Sequence, residues 1–125
     1  PKIGVTGLNP HCESYEKFNE EKKLIIPAIM KLKKEKINIK GPFPADTIFL
    51  KKNRKNFDVI VGMYHDQVLT PFKALYKYDA INITLGLSFI RISPDHGTAE
   101  DISGKKIANP KSLIESIKFF NNINN

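Results

Sequence analysis

Short apolar runs alternate with polar segments along the first half of the chain. Ile3 to Thr6 predicts a short buried strand that ends in a loop rich in Gly, Asn and Pro. From about Asn19 to Lys36 the apolar positions recur at helical spacing, and Pro27 is expected to kink this helix or to mark the first turn of its main part. Asp58 to Met63 is a β-branched run typical of a strand covered on both faces. This order of strand, helix and strand indicates an α/β fold.

Two prolines and a glycine interrupt the pattern between the first helix and the second long strand. Ile37 to Ile39 is predicted as a brief extended piece before the segment GPFPADT at 41–47. We expect this segment to form a stiff loop without regular structure, because proline fixes one backbone torsion and lacks an N–H donor. The loop would hold Asp46 and Thr47.

The second half of the chain is predicted to hold two more strands and a final helix. Ile81 to Leu85 and Phe89 to Ile92 have strand character, and the residues between them permit either a hairpin or one bent strand. Asn109 and Pro110 predict a helix N-cap followed by a first-turn proline. One face of that helix is expected to consist of Leu113, Ile114, Ile117 and Phe120.

Composition narrows the class of protein only a little. The chain is 41% hydrophobic and 26% charged, and no stretch approaches the roughly 20 apolar residues that cross a bilayer, so no membrane partner is expected. The opening residues lack the basic-then-apolar pattern of a signal peptide, which makes the cytoplasm the expected location. The single Cys12 cannot form an internal disulfide, which fits a reducing compartment.

The net charge of +7 does not by itself indicate nucleic-acid binding. The lysines of the first predicted helix are interleaved with glutamates, and Lys51 to Lys55 forms a short surface run. No recognition helix, zinc knuckle or aromatic-basic motif accompanies this charge. We therefore expect a solvated basic surface and no nucleic-acid partner.

All three histidines, His11, His65 and His96, are predicted to lie in loops beside strand ends. Because ligands of open α/β sheets gather at the carboxyl ends of strands, His11 and His65 are candidates for one shared site, although a single loop histidine is more often a plain surface residue. Imidazole nitrogens suit zinc, cobalt or similar cations. Asp46 and Asp66 are the catalytic carboxylate candidates that would ligate the metal or orient its shell. Two histidines fit an open catalytic site that needs a further protein ligand.

Two cations and an amide form a second candidate group, made of Lys73, Asn82 and Arg91. Cationic side chains with a hydrogen-bonding amide are what a phosphate plus a carboxylate would need. Each residue taken singly is more often structural, so their spacing alone does not assign a substrate.

The segment from Asp95 to Pro110 is a third candidate site, for a nucleotide cofactor. His96, Thr98 and Asp101 can hydrogen-bond a flat heterocycle or a ribose, and Gly97 permits a close approach of the backbone, as does Gly104. No GxGxxG motif is present, so a Rossmann dinucleotide site is not supported. The alternative is an ordinary polar loop that caps a sheet.

Five segments together resemble the 4-hydroxythreonine-4-phosphate dehydrogenase family. In order along the chain they are GLNPH at 7–11, GPFPADT at 41–47, MYHDQ at 63–67, NITLGL at 82–87 and DHGTAEDISGK at 95–105. Any one of them would be a weak signal, whereas five in order across nearly the whole chain are specific. The last segment, with its ANP continuation, is also similar to the adenosine-binding loop of isocitrate and isopropylmalate dehydrogenases, which share the fold.

The resemblance implies a fold, a reaction and an assembly. The implied fold is an α/β/α layered sheet of the isocitrate/isopropylmalate dehydrogenase-like type, with residues 1–125 as the C-terminal half of a larger two-domain dehydrogenase. The implied reaction is oxidation of 4-phosphohydroxythreonine by NAD or NADP to 2-amino-3-oxo-4-phosphooxybutanoate, followed by decarboxylation, in pyridoxal phosphate biosynthesis. A cytoplasmic homodimer with an active site shared between its subunits is implied as well.

The resemblance also implies roles for individual residues. By position in the matching segments, His11 and His65 resemble two of the family's three metal-binding histidines, and zinc is the expected metal, with cobalt and magnesium as alternatives. The family's substrate-binding trio corresponds to Lys73, Asn82 and Arg91. Cofactor binding is expected at His96, Gly97, Thr98 and Asp101.

The chain departs from the family pattern in three respects. The family usually has Gly after MYHDQ and Pro after TLGL, where this chain has Val68 and Ser88. The third histidine of the family belongs to a segment before Pro1, so residues 1–125 alone are expected to be inactive. Two rivals stay open: an isopropylmalate-type β-decarboxylating dehydrogenase, whose metal is bound by aspartates, and a non-catalytic remnant that only dimerises or binds nucleotide.

Overall fold

The computed structural model describes residues 1–12 and 18–123. The chain divides into two compact units, Pro1–Pro71 and Phe72–Asn125, and each is described by itself. Within the described residues, no helix combines the length and apolar character that crossing a bilayer requires.

The first unit is built on a three-stranded parallel sheet. Its strands are β1 (Ile3–Thr6), β2 (Ile39–Phe43) and β3 (Val59–Val61), in the order β2-β1-β3. Ile3 pairs with Ile39 on one side and with Val59 on the other. Because all three strands run in the same direction, the segments that follow them lie at one edge of the sheet, which we call the carboxyl edge.

A helix covers one face of this sheet, as the apolar spacing predicted. A π-helical turn, Glu21–Ile25, leads into α1, Ile26–Lys34, and Pro27 lies in the first turn of α1. Proline has no N–H to donate, so the helical hydrogen bonds are interrupted at Pro27, where the π-helical turn passes into α1. Ile29 of α1 is buried against strand residues of the sheet and forms the core of this unit.

The segment GPFPADT is more regular than predicted. Gly41, Pro42 and Phe43 complete β2, and Ala45–Ile48 forms a short helix, α2, followed by α3, Lys51–Arg54. The expectation of a loop without regular structure was therefore wrong. β2 is an edge strand whose register with β1 shifts between Gly4 and Thr6, and a proline is tolerated at such a bulge.

The strand β3 is also less covered than its sequence indicated. Val59 is 42% exposed and Val61 is 40% exposed in the described structure. Both residues lie on the same face, because side chains alternate along a strand. The exposed face contradicts the expectation of a strand covered on both faces, and among the described residues β3 lies at an edge of the sheet, paired with β1.

The second unit contains an antiparallel pair of strands and two helices. Helix α4 (His65–Tyr76) includes the boundary between the units and is followed by β4 (Ile81–Thr84) and β5 (Arg91–Pro94). The strands pair antiparallel, with Thr84 opposite Arg91, so the hairpin is the arrangement that the chain adopts. A 3-10 turn (Glu100–Ile102) comes before the last helix, α5 (Lys111–Ile123).

The start of α5 is capped as predicted. The Asn109 side-chain oxygen accepts the Lys111 N–H at 3.0 Å. Pro110 lies one residue before the first helical residue, so the expected first-turn position is shifted by one, and its carbonyl accepts the first helical hydrogen bond, from the Ile114 N–H. Lys111 also donates a side-chain hydrogen bond to Asp79, which, with the charge of that carboxylate, raises the pKa of the lysine.

The buried face of α5 is not its apolar one. Ser112 and Ser116 are buried, whereas the four apolar residues predicted to line one face of the helix are largely exposed: Leu113, Ile114, Ile117 and Phe120. The Ser112 hydroxyl donates to the Ala80 carbonyl at 2.5 Å and accepts the Asp95 N–H at 2.8 Å. Ser112 therefore hydrogen-bonds one backbone group before β4 and one after β5. The spacing of apolar residues does not predict such a contact.

Replacing Ser112 tests this arrangement. We expect Ser112→Ala to lower the free energy of unfolding by about 1–3 kcal/mol, because two buried backbone groups lose their partner. Urea denaturation would measure the change. Ser116→Ala is the matched control: it is buried on the same helix but donates only to the Ser112 carbonyl one turn earlier. An equal loss in both variants would contradict a special role for Ser112.

Candidate functional site

The carboxyl edge of the parallel sheet collects the metal-ligand candidates. His11 follows β1, Asp46 follows β2, and His65 follows β3. These are the three strands of a single sheet, so adjacent strands deliver one candidate each to the same edge. This is where ligands gather in parallel α/β sheets.

His65 has a defined partner at this edge. It is the first residue of α4, so the prediction that it lies in a loop was wrong. Its Nδ1 atom lies 2.7 Å from Asp66 Oδ1. A carboxylate only accepts hydrogen bonds, so Nδ1 carries the hydrogen and the lone pair of Nε2 is left for a ligand. The two side chains are 76% and 79% exposed, so the pair orients the ring but contributes little to stability.

His11 lies in a turn organised by Asn9. The Asn9 side-chain oxygen accepts the His11 N–H at 3.0 Å, and its backbone carbonyl accepts the Cys12 N–H at 3.0 Å. A side chain that bonds the backbone two residues on forms an Asx turn. Asn9 is thus the orienting residue of the turn, while the His11 side chain is exposed to solvent.

A buried carboxylate that was not among the residues predicted from the sequence bonds the backbone of the same turn. Glu21 is fully buried, and its Oε1 atom accepts the Asn9 N–H at 2.6 Å. A Cβ atom added at Gly7 would come within 3.1 Å of this oxygen and 2.7 Å of Cys12 Sγ, so only glycine fits there. The sequence did carry a signal, since Glu21 shares a helical face with Ile25 and Ile29.

Gln67 is the second residue at this edge that was not singled out. It is 7% exposed and follows His65 in the first turn of α4. Its Oε1 atom accepts the Thr6 hydroxyl at 2.5 Å and the Met63 N–H at 2.8 Å, and its Nε2 atom donates to the Gly7 carbonyl at 2.6 Å. One amide thereby joins the end of β1 to the segment after β3.

Val68, one of the departures from the family pattern, packs directly over Gly62. A Cβ atom at Gly62 would collide with Val68 Cγ1. The larger residue after MYHDQ is therefore accommodated by the absence of a side chain just after β3.

The third candidate at the carboxyl edge, Asp46, is exposed in the first turn of α2. No cluster of three or more His, Cys, Asp or Glu side chains arranged to hold a metal occurs among residues 1–12 and 18–123. The described residues thus bring His11, Asp46 and His65 to one edge without forming a closed cluster.

In the second unit, two of the three predicted substrate residues share one face of the hairpin. Asn82 lies opposite Ser93, and Thr84 lies opposite Arg91, so all four side chains lie on the same face. Arg91 Nη1 donates to the Thr84 hydroxyl at 2.8 Å.

The third predicted substrate residue, Lys73, is anchored at the end of β5. Its Nζ atom donates to the Asp95 carbonyl at 2.9 Å and lies 3.4 Å from Asp95 Oδ2. This carboxylate oxygen has no hydrogen bond of standard geometry in the described structure, although the ammonium lies within ion-pair distance. The attraction between the ammonium and the carboxylate pairs the two groups without requiring the geometry of a hydrogen bond.

The predicted cofactor loop follows β5 and is open to solvent. His96, Gly97, Thr98 and Asp101 are all exposed. His96 Nδ1 lies 2.9 Å from the Gly97 carbonyl. A Cβ atom at Gly97 would meet nothing within 4 Å in the described structure, so no neighbouring group of this chain explains the glycine.

Known proteins resemble this chain along nearly its whole length. The family model described as "Pyridoxal phosphate biosynthetic protein PdxA" matches residues 1–120. The chain belongs to this family. Two curated relatives are each 50% identical over 119 residues, a 4-hydroxythreonine-4-phosphate dehydrogenase from Xanthobacter autotrophicus and a protein from Oceanobacillus iheyensis provisionally named D-threonate 4-phosphate dehydrogenase.

A solved PdxA-family structure has a similar fold. The 4-hydroxythreonine-4-phosphate dehydrogenase of Klebsiella pneumoniae matches with a TM-score of 0.76 at 42% identity, over 95% of this chain and 36% of that one. The two curated relatives are matched over 94% of this chain and 34% and 36% of their own length. The chain therefore spans about a third of the length of the relatives it matches.

The His65–Asp66 pair makes a testable prediction about the imidazole. We expect Asp66→Asn to lower the fraction of His65 that carries its hydrogen on Nδ1, because the acceptor-only carboxylate is lost. Nitrogen-15 NMR of the ring at a pH where the histidine is neutral would measure the tautomer ratio. Asp46→Asn is the matched control, since it removes the same charge at the neighbouring candidate. A ratio unchanged by Asp66→Asn would contradict the assignment.

Proposed function

We propose that this chain contributes to a PdxA-family dehydrogenase that oxidises the hydroxyl-bearing carbon of a small phosphorylated acid with NAD or NADP. Family membership supports this proposal, as do relatives that are named 4-hydroxythreonine-4-phosphate dehydrogenase. The observation that carries it is the delivery of His11, Asp46 and His65 to one edge of one parallel sheet. Since the chain spans about a third of its relatives, we propose that it works within a longer two-domain polypeptide, as their C-terminal half.

The carboxyl edge has the donor chemistry of a divalent metal site. His65 keeps Nε2 available because Asp66 engages its other nitrogen. His11 is exposed on a turn that two hydrogen bonds to Asn9 hold in place. We propose His11 and His65 as two ligands of a divalent cation, zinc first and cobalt or magnesium as alternatives, with Asp46 as a further carboxylate. When bound, such a cation supplies Lewis acidity to the substrate oxygen.

The polar face of the hairpin has the chemistry of an anion-binding surface. Arg91 can form paired hydrogen bonds to a phosphate or carboxylate, and Asn82 on the same face can donate from its amide. Lys73 is held by Asp95, which keeps its ammonium group at the end of β5. We propose that these three residues bind and orient the anionic groups of the substrate.

The exposed loop after β5 is the proposed cofactor site. His96, Thr98 and Asp101 offer donors and acceptors for an adenosine, and Gly97 leaves room for a ligand. The nicotinamide supplies the redox chemistry as hydride acceptor, and the protein supplies alignment. The choice between NAD and NADP would depend on what this loop presents to the ribose.

The proposed reaction is an oxidation followed by loss of carbon dioxide. The substrate CH–OH group gives a hydride to the nicotinamide and a proton to a base, which leaves a ketone beside the carbon that bears the carboxylate. The ketone then accepts the electron pair that decarboxylation releases. Lys73 and Arg91 would hold the phosphate and carboxylate so that the reacting carbon stays aligned.

A second substrate is favoured by a specific observation. The relative named D-threonate 4-phosphate dehydrogenase is as similar to this chain as the first 4-hydroxythreonine-4-phosphate dehydrogenase. The two substrates named share the phosphate and the carboxylate and differ in whether carbon 2 carries an amine or a hydroxyl. Asn82 lies on the anion-binding face and can hydrogen-bond either group, so both substrates fit the proposed site.

The exposed apolar surface of the second unit suits a protein partner. Phe89, Ile90, Leu113, Ile117 and Phe120 line a groove of about 430 Å³ beside α5. Contiguous apolar surface of this kind marks protein contacts more often than nucleic-acid contacts. We propose that a second copy of the polypeptide covers it in a cytoplasmic homodimer, and that the assembly has the layered isocitrate/isopropylmalate dehydrogenase-like fold.

Removing either histidine tests the metal site. In the full-length polypeptide we expect His11→Ala and His65→Ala each to lose bound zinc or cobalt and to lower turnover by at least about 100-fold, because an open site with few protein ligands cannot spare one. Elemental analysis and a turnover assay would measure the two effects. His96→Ala is the control and should keep its metal. If His11→Ala and His65→Ala both kept their full metal content, the result would favour an isopropylmalate-type dehydrogenase or a non-catalytic protein.

Comparing the two substrates tests the reaction. In the full-length polypeptide we expect NAD or NADP reduction with 4-phosphohydroxythreonine or threonate 4-phosphate, and the ratio of kcat/KM values decides between them. Lys73→Met should raise KM for either substrate by about 10-fold or more, since a charge-assisted contact to an anion is worth roughly 1.5–3 kcal/mol. Lys118→Met is the control, because the ammonium of Lys118 pairs with Glu115 on α5 and is not part of the proposed anion-binding group. Reduction with neither substrate would contradict the proposed function.

A further inference from the structure

The amide of Gln67 is placed where the two candidate metal-binding segments begin. It bonds the Gly7 carbonyl, at the start of the turn that carries His11, and the Met63 N–H, just before the helix that carries His65. Thr6, the last residue of β1, is fully buried and donates its hydroxyl to the same amide oxygen.

This set of contacts uses the particular chemistry of glutamine. A single side chain must accept two hydrogen bonds with one atom and donate one with the other, which only a primary amide does over this reach. A glutamate would place an acceptor against the Gly7 carbonyl, and an apolar residue would leave three buried polar groups without this partner. The identity of residue 67 is therefore determined by the two segments that it joins.

The bonds of Gln67 to Thr6 and Gly7 are buried and join segments far apart in the chain, whereas its bond to Met63 is partly buried and local. Gln67 comes after the end of β3, whereas Thr6 ends β1 and Gly7 follows it, and these two strands are neighbours in the sheet. The Thr6 hydroxyl also lies 3.3 Å from the Val61 carbonyl, but its single hydrogen is directed to the closer acceptor, the Gln67 amide oxygen at 2.5 Å. A rigid connection between the two segments fixes the separation of whatever follows them.

We infer that Gln67 is a positioning residue, which sets the relative placement of the His11 turn and the His65 helix start through its bonds to Gly7 and Met63. This inference rests on the proposed function for the role of the two histidines as metal ligands. The partners of the Gln67 amide are Thr6, Met63 and Gly7, and it is not proposed as a ligand of the cation. Its effect on metal binding would come entirely from holding the two segments in register.

The test uses the full-length polypeptide and two measurements. Gln67→Met keeps the size of the side chain and removes the amide. Amide hydrogen exchange at Met63, measured without metal, reports the hydrogen bond itself, and we expect it to become faster. Competition of zinc and of cobalt with a chromophoric chelator reports cation affinity, which we expect to fall by about 10-fold, the lower end of the roughly 10- to 100-fold effect of groups that orient ligands.

Two further variants separate positioning from general stability. Ile29→Ala removes a buried core side chain of the same unit without touching the polar contacts, and it should retain the cation affinity of the unaltered protein. Thr6→Val keeps the volume but removes one of the bonds to Gln67, and it should lower the affinity by less than Gln67→Met does. Thr6→Val carries the test if Gln67→Met does not fold.

The possible outcomes are distinct. Unchanged exchange at Met63, unchanged affinity in the folded variants, or an equal loss in Ile29→Ala would each overturn the positioning role. Absence of zinc and cobalt binding in the unaltered protein would overturn the proposed metal site, and with it this role, before any variant is compared. Faster exchange at Met63 together with a selective loss of affinity would support it.

Discussion

The carboxyl edge of the parallel sheet depends on buried side chains that bond the segments leaving the strands. Beyond the ends of β1 and β3, the amide of Gln67 bonds two backbone groups, the Gly7 carbonyl and the Met63 N–H, and one side chain, the Thr6 hydroxyl. Glu21 Oε1 accepts the Asn9 N–H, while its Oε2 atom is buried without a hydrogen-bond partner in the described structure. Such buried networks stabilise a structure only when their members are paired, and here they pair the two segments that carry histidines.

Features set by local chemistry were predictable from the sequence. β1, the placement of Pro27 and the Asn109 cap follow from short-range patterns, and the structure contains all three. The order of motifs also indicated the family correctly.

Features that depend on distant partners were not predictable in the same way. The segment with Pro42 joins the sheet because β1 accepts it at a register shift, which a count of prolines cannot show. The buried face of α5 carries serines because they bond the hairpin backbone, a contact invisible to hydrophobic spacing. Gln67 looks like an ordinary polar residue until its partners are placed beside it, and Glu21 carried only the weak signal of sharing a helical face with Ile25 and Ile29. Candidate ligands and the orienting residue Asp66 could thus be named from the sequence, whereas Gln67 could not.

The contact between Gly62 and Val68 places a limit on how this edge can vary. The isopropyl group at 68 occupies the space that a methyl group at 62 would need, so the two positions share a single small volume. A relative with glycine at 68 has room for alanine at 62. In this chain, with Val68 present, a larger residue at 62 is not expected to fit. A larger side chain at position 62 should therefore be accompanied by a smaller one at position 68, and the reverse, so that the summed volume of the two side chains stays within the same limit.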